Sequence, residues 1–283
     1  GSVSRLYMSN KCLLIADHKS VDKQIHIFNK NDFSYLTSIG NFGEGPEEIT
    51  VMGCLAIDEA HHQLYVSDHA KQKIFSYDMD SVMVDSLYKP QVKTAMNETL
   101  FPSEYQYIND TLSIAVLIKP TSTSTFNQFL GRWNMNTGEM IPMKYTHPDI
   151  QKKRITFAAS EKAGIYVECY TRHDLMTICS LDGELLYNIY GPDWDGGNGN
   201  KLQSFGTVMI GNDKIFVSYC GEDYARDSFP TKILVFDLEG NYLKTLETGY
   251  KISDCCYDSF NNRIILSLND VVQFAYLDID GII

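Results

Sequence analysis

A strand-like segment recurs six times along the chain at nearly constant spacing. Residues 13–17 and 64–68 have the same pattern, with apolar residues leading into a terminal Asp. The copies are separated by 51, 50, 51, 50 and 49 residues and are centred on Ile15, Val66, Val116, Val167, Val217 and Leu266. A fixed period of this length is typical of repeat architectures, in which each copy forms one supersecondary unit.

Each repeat contains enough strand signals for four strands. A second apolar segment follows the recurring one and ends in a polar turn, which tightens to an Asp-Gly or Asp-x-x-Gly pattern at residues 180–183, 237–240 and 278–281. In such turns the Asp side chain bonds nearby backbone and Gly accepts a positive φ. One strand follows the turn and another precedes the recurring segment. Six units of four antiparallel strands predict an all-β fold, a six-bladed β-propeller that forms a single domain over residues 1–283. A β-sandwich with internal duplication is the competing fold, but it does not explain six evenly spaced copies.

The two chain ends are less regular than the repeats between them. Residues 3–8 are expected to form the innermost strand of the first blade, and the sixth unit stops just after Gly281. The outer strand of the last blade is therefore short, missing or supplied by residues removed from the chain. Since the sequence begins Gly1-Ser2 without an initiator Met, we expect that an upstream segment has been removed, and an export signal fits this expectation.

Composition excludes several classes of function. A net charge of −12 argues against nucleic-acid binding, which needs clustered Lys and Arg on the surface. No apolar run approaches the length of roughly 18–20 residues that a transmembrane helix requires. The seven Cys residues are odd in number and contain no Cys-x-x-Cys pair, so we expect buried free thiols rather than disulfides or a metal site. The redox compartment stays open.

The repeats resemble a known family. Asp17 and Asp68 each end a strand and precede a polar loop and an Ile-rich strand, as in NHL-type propellers. Residues 39–48, with the Gly-Glu-Gly-Pro stretch at 43–46, are similar to the TolB-like six-bladed propeller lipoproteins of the Gram-negative cell envelope. The third to fifth repeats lack the terminal Asp. The resemblance implies export to the periplasm or the outer membrane and cell surface, with a lipid anchor upstream of residue 1 and without an assigned reaction.

Loop lengths indicate which connections carry function. In a propeller, the turns between strands 1 and 2 and between strands 3 and 4 lie on one face, and these are short here. The long segments fall in the other set of connections, at residues 41–50, 88–102, 144–153, 191–204 and 220–230. Long loops in a compact domain commonly carry function, so we predict binding on this second face, at the mouth of the central channel. The Gly residues and Pro46 of residues 43–46 are expected to shape the turn into the next blade.

Several polar residues on these connections are candidate ligand-binding residues. Asp17-His18 and Asp68-His69 follow the recurring strands, where an Asp equally serves to cap the next loop. Residues 170–174 place a cation and an imidazole in one loop, a set that suits an anionic or sugar-like ligand. Two further candidates complete the set. Trp194 can stack on a sugar ring, and the loop at residues 222–227 carries charged residues and an aromatic one, although a mobile flap is an equally good interpretation of that loop. The candidates beyond the two Asp-His pairs are Tyr170, Arg172, His173, Trp194, Tyr224 and Arg226.

A weaker pattern concerns calcium. Asp193, Asp195 and Asn198 lie in a Gly-rich segment with the oxygen donors of a calcium loop, although the ordered spacing and distal Glu of an EF-hand are lacking. A flexible linker is the competing interpretation. No cofactor is predicted, and calcium is the one ion for which the sequence offers candidate ligands.

The sequence favours a non-catalytic binding propeller over an enzyme. It lacks a Gly-x-Ser-x-Gly elbow, a His-Glu-x-x-His motif and a phosphate-binding Gly-rich loop. The alternative is a metal-dependent lactonase or lyase, with a divalent ion at the channel mouth polarising a carbonyl or activating water. The expected partner is a small molecule, a glycan or another envelope protein.

Overall fold

The structure is a computed structural model that describes residues 4–199 and 202–283. The described residues form six antiparallel sheets, of which five have four strands and one has three. Within each sheet the strands lie in chain order, so each strand pairs with its neighbours in sequence. This topology confirms the predicted six-bladed β-propeller, and we number the sheets as blades 1 to 6 from the N-terminus.

The chain divides into two compact units, Gly1–Pro142 and Met143–Ile283, which we call unit 1 and unit 2. Unit 1 contains blades 1 to 3 and one short helix, α1. The strands of blade 1 are β1 Ser4–Met8, β2 Cys12–Asp17, β3 Lys23–Asn29 and β4 Tyr35–Asn41. Those of blade 2 are β5 Met52–Asp58, β6 Gln63–Asp68, β7 Lys73–Asp78 and β8 Gln91–Ala95, with α1 Met79–Val84 between the last two. Those of blade 3 are β9 Phe101–Asn109, β10 Leu112–Pro120, β11 Phe126–Trp133 and β12 Met140–Pro142.

Unit 2 contains blades 4 to 6. The strands of blade 4 are β13 Ile155–Ser160, β14 Ile165–Tyr170, β15 Leu175–Ser180 and β16 Leu185–Tyr190. Those of blade 5 are β17 Leu202–Gly211, β18 Lys214–Asp223, β19 Lys232–Asp237 and β20 Tyr242–Glu247, with a short 3-10 helix at Tyr224–Arg226. Those of blade 6 are β21 Ile252–Asp258, β22 Arg263–Leu268 and β23 Phe274–Asp278.

Strand alternation places hydrophobic core on both sides of a blade. In β6, Leu64 and Val66 pack into a cluster shared by blades 1 and 2, whereas Tyr65 between them packs into a cluster shared by blades 2 and 3. Because successive side chains of a strand point to opposite faces, an inner strand that is apolar at every position can serve two neighbours. The continuous apolar runs in the recurring segments therefore follow from burial on both faces.

The Asp-Gly turns form as the sequence predicts. The Asp237 carboxylate accepts hydrogen bonds from the backbone N–H groups of Glu239 and Asn241, both at 2.9 Å. Gly240 has a φ of 82°, a conformation that glycine adopts at little cost because it has no Cβ. The turn consequently fixes the register in which β20 returns along β19.

One connection, in blade 2, differs from the expectations drawn from the sequence. The segment 88–102, expected to be one long loop, contains β8, and the connection before β8 is a helix rather than a tight turn. Blade 6 has three strands in the described residues, in line with its expected irregularity. The first strand starts at Ser4 in the described residues, and Val3, which was expected to belong to it, lies outside them.

All seven Cys residues are free and buried, which confirms the interpretation as core thiols. Burial raises the pKa of the Cys54 thiol to about 11, and the nearby Glu104 carboxylate acts in the same direction. The Cys54 thiol therefore stays protonated and unreactive at neutral pH. Among the described residues, no helix has the length and apolar character needed to span a bilayer.

Candidate functional site

Four connections of unit 2, three of them long, meet in one cluster of side chains. They comprise residues 143–154, 171–174, 191–199 and 224–231, and we call their described residues the loop cluster. Ring contacts link the first three connections to one another, and a cation–π contact links the second to the fourth. The loop cluster therefore brings together residues that are far apart in the sequence.

Trp194 lies at the centre of the aromatic part of the loop cluster. Its ring centroid lies 5.2 Å from that of His147, 6.1 Å from that of His173 and 5.0 Å from that of Tyr190. The rings meet at angles of 50° to 61°, as edge and tilted contacts. Trp194 is half-buried and Tyr190 is exposed, so part of this aromatic surface faces solvent.

His147 is held in one orientation by hydrogen bonds on both ring nitrogens. Its Nδ1 accepts from the backbone N–H of Asp149 at 3.2 Å, so the neutral ring carries its hydrogen on Nε2. Nε2 lies 2.9 Å from the hydroxyl oxygen of Tyr190, to which it donates. The side chain is only 4% exposed, and this pair therefore ties the connection 143–154 to the end of β16.

His173 is a buried imidazole beside Trp194. It is 5% exposed, its ring lies 5.9 Å from that of Tyr170, and its Nδ1 has no hydrogen-bond partner among the described residues. Burial lowers the pKa of His173, and the neighbouring His147 lowers it further, whereas Asp195 opposes the shift. The imidazole is consequently neutral at neutral pH.

Arg172 and Tyr224 form the basic part of the loop cluster. The Arg172 guanidinium carbon lies 4.2 Å from the centre of the Tyr224 ring, which is 48% exposed. Burial lowers the pKa of Arg154, and the positive charge of Arg172 lowers it further. Arg226 is exposed and pairs with Glu222 at 3.4 Å. A guanidinium group held over an exposed aromatic ring makes a surface suited to an anionic group.

Tyr170 lies beneath the loop cluster rather than on it. Its side chain is fully buried, and its hydroxyl donates to Glu168 Oε2 at 3.3 Å. Glu168 in turn forms a buried ion pair with Lys153. Tyr170 therefore supports the ring of His173 from below and has no exposed surface of its own.

The candidate calcium residues lie in a segment that bonds to itself. Asp195 Oδ1 accepts from the backbone N–H of Gly199 at 3.2 Å, and Asn198 Nδ2 donates to the backbone oxygen of Asp195 at 3.0 Å. Asp193 is exposed, and Asn200, the last residue of the motif, lies outside the described residues. Within residues 4–199 and 202–283, no three His, Cys, Asp or Glu side chains are grouped so as to hold a metal ion.

In unit 1, Asp68 organises the loop that follows its strand. The fully buried carboxylate accepts hydrogen bonds from the backbone N–H groups of Thr50, Val51, Ala70 and Lys71, at 2.8 to 3.2 Å. Burial alone would raise the pKa of the Asp68 carboxyl, but these donors and the Lys71 ammonium hold it below its usual value. The contacts support the loop-capping interpretation of this residue.

Two of the other unit 1 candidates, His18 and His69, lie beside Gly53. His18 Nε2 lies 3.3 Å from the Gly53 carbonyl oxygen, and a Cβ on Gly53 would lie 2.3 Å from His69 Nε2. The His69 ring meets that of Phe101 edge-on at 6.0 Å, and burial lowers the pKa of His69. Asp17 accepts a hydrogen bond at 3.0 Å from the backbone N–H two residues later. These residues form a local group within unit 1.

The sequence did not point to several residues that these contacts make prominent. In unit 1, Arg5 of β1 and Glu104 of β9 form an ion pair across 99 residues of sequence. In unit 2, His147 and Arg154 fall in or beside the segment 144–153, which was predicted as a functional loop although neither residue was singled out. Tyr190 ends an outer strand and shows no pattern that distinguishes it. Loop length was thus the signal that could have found His147 and Arg154.

Comparison with known proteins supports the fold and no more. Residues 1–130 match the family described as DUF5128, 6-bladed beta-propeller. No curated protein sequence matches the chain.

Solved structures match over nearly the whole chain. A member of the duf4221 family from Bacteroides vulgatus matches with a TM-score of 0.64 and 9% identity, covering 98% of this chain and 93% of that one. The β-propeller domain of Cps50 (Swd1) from Myceliophteria thermophila matches with a TM-score of 0.61 and 9% identity, covering 98% and 96%. U3-55K matches with a TM-score of 0.62 and 11% identity, covering 94% and 88%. At these identities the likeness shows a shared β-propeller fold.

Proposed function

We propose that this protein is a non-catalytic binding propeller of the bacterial cell envelope that holds an acidic glycan on the loop cluster of unit 2. The observation that carries the proposal is the Arg172 guanidinium, whose central carbon lies 4.2 Å from the centre of the exposed Tyr224 ring. The positive charge of Arg172 also lowers the pKa of Arg154, after burial of Arg154 itself. Guanidinium groups bind carboxylates through charge-assisted, often bidentate hydrogen bonds. Aromatic side chains together with a few well-placed polar groups are typical of small-ligand sites.

The charge arrangement favours an anionic ligand. The chain carries a net charge of −12, yet Arg154 and Arg172 lie close enough for one to lower the pKa of the other. Two like charges repel, and an acid group placed between them would offset that repulsion through charge-assisted hydrogen bonds. The planar guanidinium of Arg172 keeps its donors in a fixed fork while its face rests on Tyr224.

The aromatic surface favours a ligand with sugar rings. Tyr224 and Tyr190 are each 48% exposed, and Trp194 is half-buried between two imidazoles. Aromatic faces provide large contact area at low cost in conformational entropy, and sugar rings stack on them through their C–H faces. The neutral state of His173 keeps this part of the loop cluster free of an additional charge.

Binding of defined oligosaccharides tests the proposal. Isothermal titration would compare oligogalacturonate and a heparin-derived hexasaccharide with a neutral galacto-oligosaccharide of similar length. We expect one or both acidic probes to bind and the neutral one to bind at least tenfold more weakly, since a charge-assisted hydrogen bond contributes about 1.5–3 kcal/mol.

Two variants locate the binding site. Arg172→Gln should weaken binding of the acidic probe by about tenfold or more, whereas Lys162→Gln, an exposed change in the turn between β13 and β14, should leave it unchanged. Equal binding of neutral and acidic probes, no binding of either acidic probe, or full binding by Arg172→Gln would overturn the proposal.

The envelope part of the proposal has separate support. The Gly-Glu-Gly-Pro stretch at residues 43–46 is similar to that of envelope propeller lipoproteins, and the proposed ligands are extracellular polymers. Fractionation of cells that produce the natural protein, followed by immunoblotting, should place it with the periplasm or membrane fraction. Recovery with cytoplasmic markers would contradict this location.

A further inference from the structure

A cavity of about 460 Å³ lies in unit 1, away from the connections that form its long loops. It is lined by the turn between β1 and β2, the turn between β5 and β6, and the first residues of α1. These are the connections that were expected to be plain. The volume falls within the usual range of small-molecule sites, about 300–1,000 Å³.

The cavity owes one wall to a departure from the repeat. In blade 5 the third and fourth strands are joined by a tight Asp-Gly turn, whereas in blade 2 the equivalent connection contains α1 Met79–Val84. Asp78 caps this helix by accepting from the backbone N–H of Ser81 at 2.9 Å, and Val82 anchors it in the core. Met79 and Met83, four residues apart on one face of the helix, line the cavity.

The interior of the cavity is apolar and adaptable. Cys12, Leu36 and Ile57 line it together with the two Met side chains. Leu36 is 43% exposed and Met83 is 36% exposed, so the chain leaves apolar surface open to solvent here. Methionine side chains are flexible and polarizable, and they suit surfaces that receive apolar ligands of varied shape.

The rim carries more negative than positive charge. Asp58, Glu59 and Asp80 line the cavity, together with Lys11. His62 Nδ1 lies 3.2 Å from Asp80 Oδ2, and Glu59 accepts from the backbone N–H of Asn10 at 2.7 Å. A carboxylate offers about four acceptor positions, so each has capacity for a further donor.

From the apolar interior and the acidic rim we infer that this cavity binds an amphipathic amine, with the apolar body against Met79 and Met83 and the ammonium group at Asp80 and Glu59. This site is independent of the loop cluster. Its proposed ligand is a cation, whereas the ligand proposed for unit 2 is an anion. Failure of one proposal in its experiment therefore leaves the other unaffected.

Methionine-methyl NMR provides a direct test in the intact protein. With ¹³C-methyl-labelled Met, titration of hexylamine should shift the Met79 and Met83 resonances, while hexanoate, with the same chain and opposite charge, should shift them far less at equal concentration. Assignment follows from single Met79→Leu and Met83→Leu variants. An absence of shifts with hexylamine would overturn the site, and equal shifts with hexanoate would overturn its selectivity for amines.

Matched variants of α1 and its rim separate binding from folding. Met83→Lys should reduce hexylamine affinity at least tenfold, whereas Val84→Lys, at a neighbouring residue that is 88% exposed and does not line the cavity, should leave it unchanged. The Asp80 side chain is 79% exposed, so Asp80→Asn should keep the melting temperature of the wild type. The same variant should reduce the affinity for hexylamine several-fold. Equal effects of the two Lys variants, or full affinity in Asp80→Asn, would contradict the inference.

Discussion

The carboxylate of Asp174 occupies the space in which a side chain on Gly191 would have to lie. An ideal Cβ on Gly191 would be 2.1 Å from Asp174 Oδ2, and the Gly191 N–H donates to the Asp174 carbonyl oxygen at 2.8 Å. The same carboxylate accepts from the backbone N–H of Asp193 at 2.9 Å and from the Tyr219 hydroxyl at 3.2 Å. One buried acid therefore joins the start of the connection 191–199 to blades 4 and 5.

We predict that Asp174→Asn loosens this connection. Asp174 is 2% exposed. An Asn there keeps one acceptor oxygen and replaces the other with an NH2 donor, so either the Asp193 N–H or the Tyr219 hydroxyl loses its acceptor, at a cost of about 1–3 kcal/mol. Urea unfolding should show a free energy of unfolding lower by that amount, and limited proteolysis should cut faster within 191–199. Glu239→Gln, an exposed change in the turn after β19, is the control. Wild-type stability and wild-type cleavage in Asp174→Asn would refute the anchoring role.

Gly53→Ala should destabilise unit 1 by overpacking. The added methyl would lie 2.3 Å from His69 Nε2 and 2.8 Å from its Cε1, so the imidazole or strand β5 must move. Overpacking of this kind costs about 1–3 kcal/mol, measurable by urea unfolding. The double variant with His69→Ala removes the obstructing ring and should recover stability relative to the sum of the two single changes. Strict additivity would show that the clash is not the cause.

Asp68→Asn should destabilise the protein at neutral pH and weaken its response to acid. The folded-state pKa of Asp68 lies below the ordinary 3.8, so its carboxylate adds stability above the unfolded pKa, which is lost as the pH falls through the folded pKa. The variant lacks this contribution. Its stability should therefore fall less than that of the wild type as the pH is lowered from about 5, one unit above the ordinary Asp pKa. Thermal melts across that range provide the measurement.

Asp17→Asn supplies the matched control for this experiment. Asp17 ends the equivalent strand of blade 1, but it is only partly buried and accepts a hydrogen bond at 3.0 Å from the backbone N–H two residues later. We expect its stability to change by less than that of Asp68→Asn at neutral pH. An equal loss in both variants would mean that position in the repeat, rather than the donors around Asp68, sets the effect.

Calcium in millimolar excess should leave the melting temperature unchanged. The oxygen of Asp195 that accepts from Gly199 and the amide of Asn198 are engaged in the loop's own hydrogen bonds, which a bound ion would have to replace. A ligand that binds only the native state must raise its stability. Differential scanning fluorimetry of EDTA-treated protein with and without calcium gives the answer, and a rise of several degrees that Asp195→Asn abolishes would establish a calcium site.

The candidate site could be predicted only in part from the sequence. Loop length drew attention to the segment 144–153, and residues 170–174 and Trp194 were singled out by their chemistry. Burial then separated them, because Tyr170 lies in the core and Arg172 meets Tyr224 at 4.2 Å. Nothing in the local pattern of residues 170–174 reports which of these side chains is covered.

The sequence by itself determined the six blades, their antiparallel order and the Asp-Gly turns. Strand alternation and turn chemistry act over a few residues, and repeating them six times leaves one fold that satisfies every copy. Only the tertiary structure decided that Trp194 meets His147 and His173, that Asp68 is a buried cap, and that α1 opens a cavity. These outcomes depend on which loops and turns are brought together in space, and that is set by long-range packing that local periodicity does not encode.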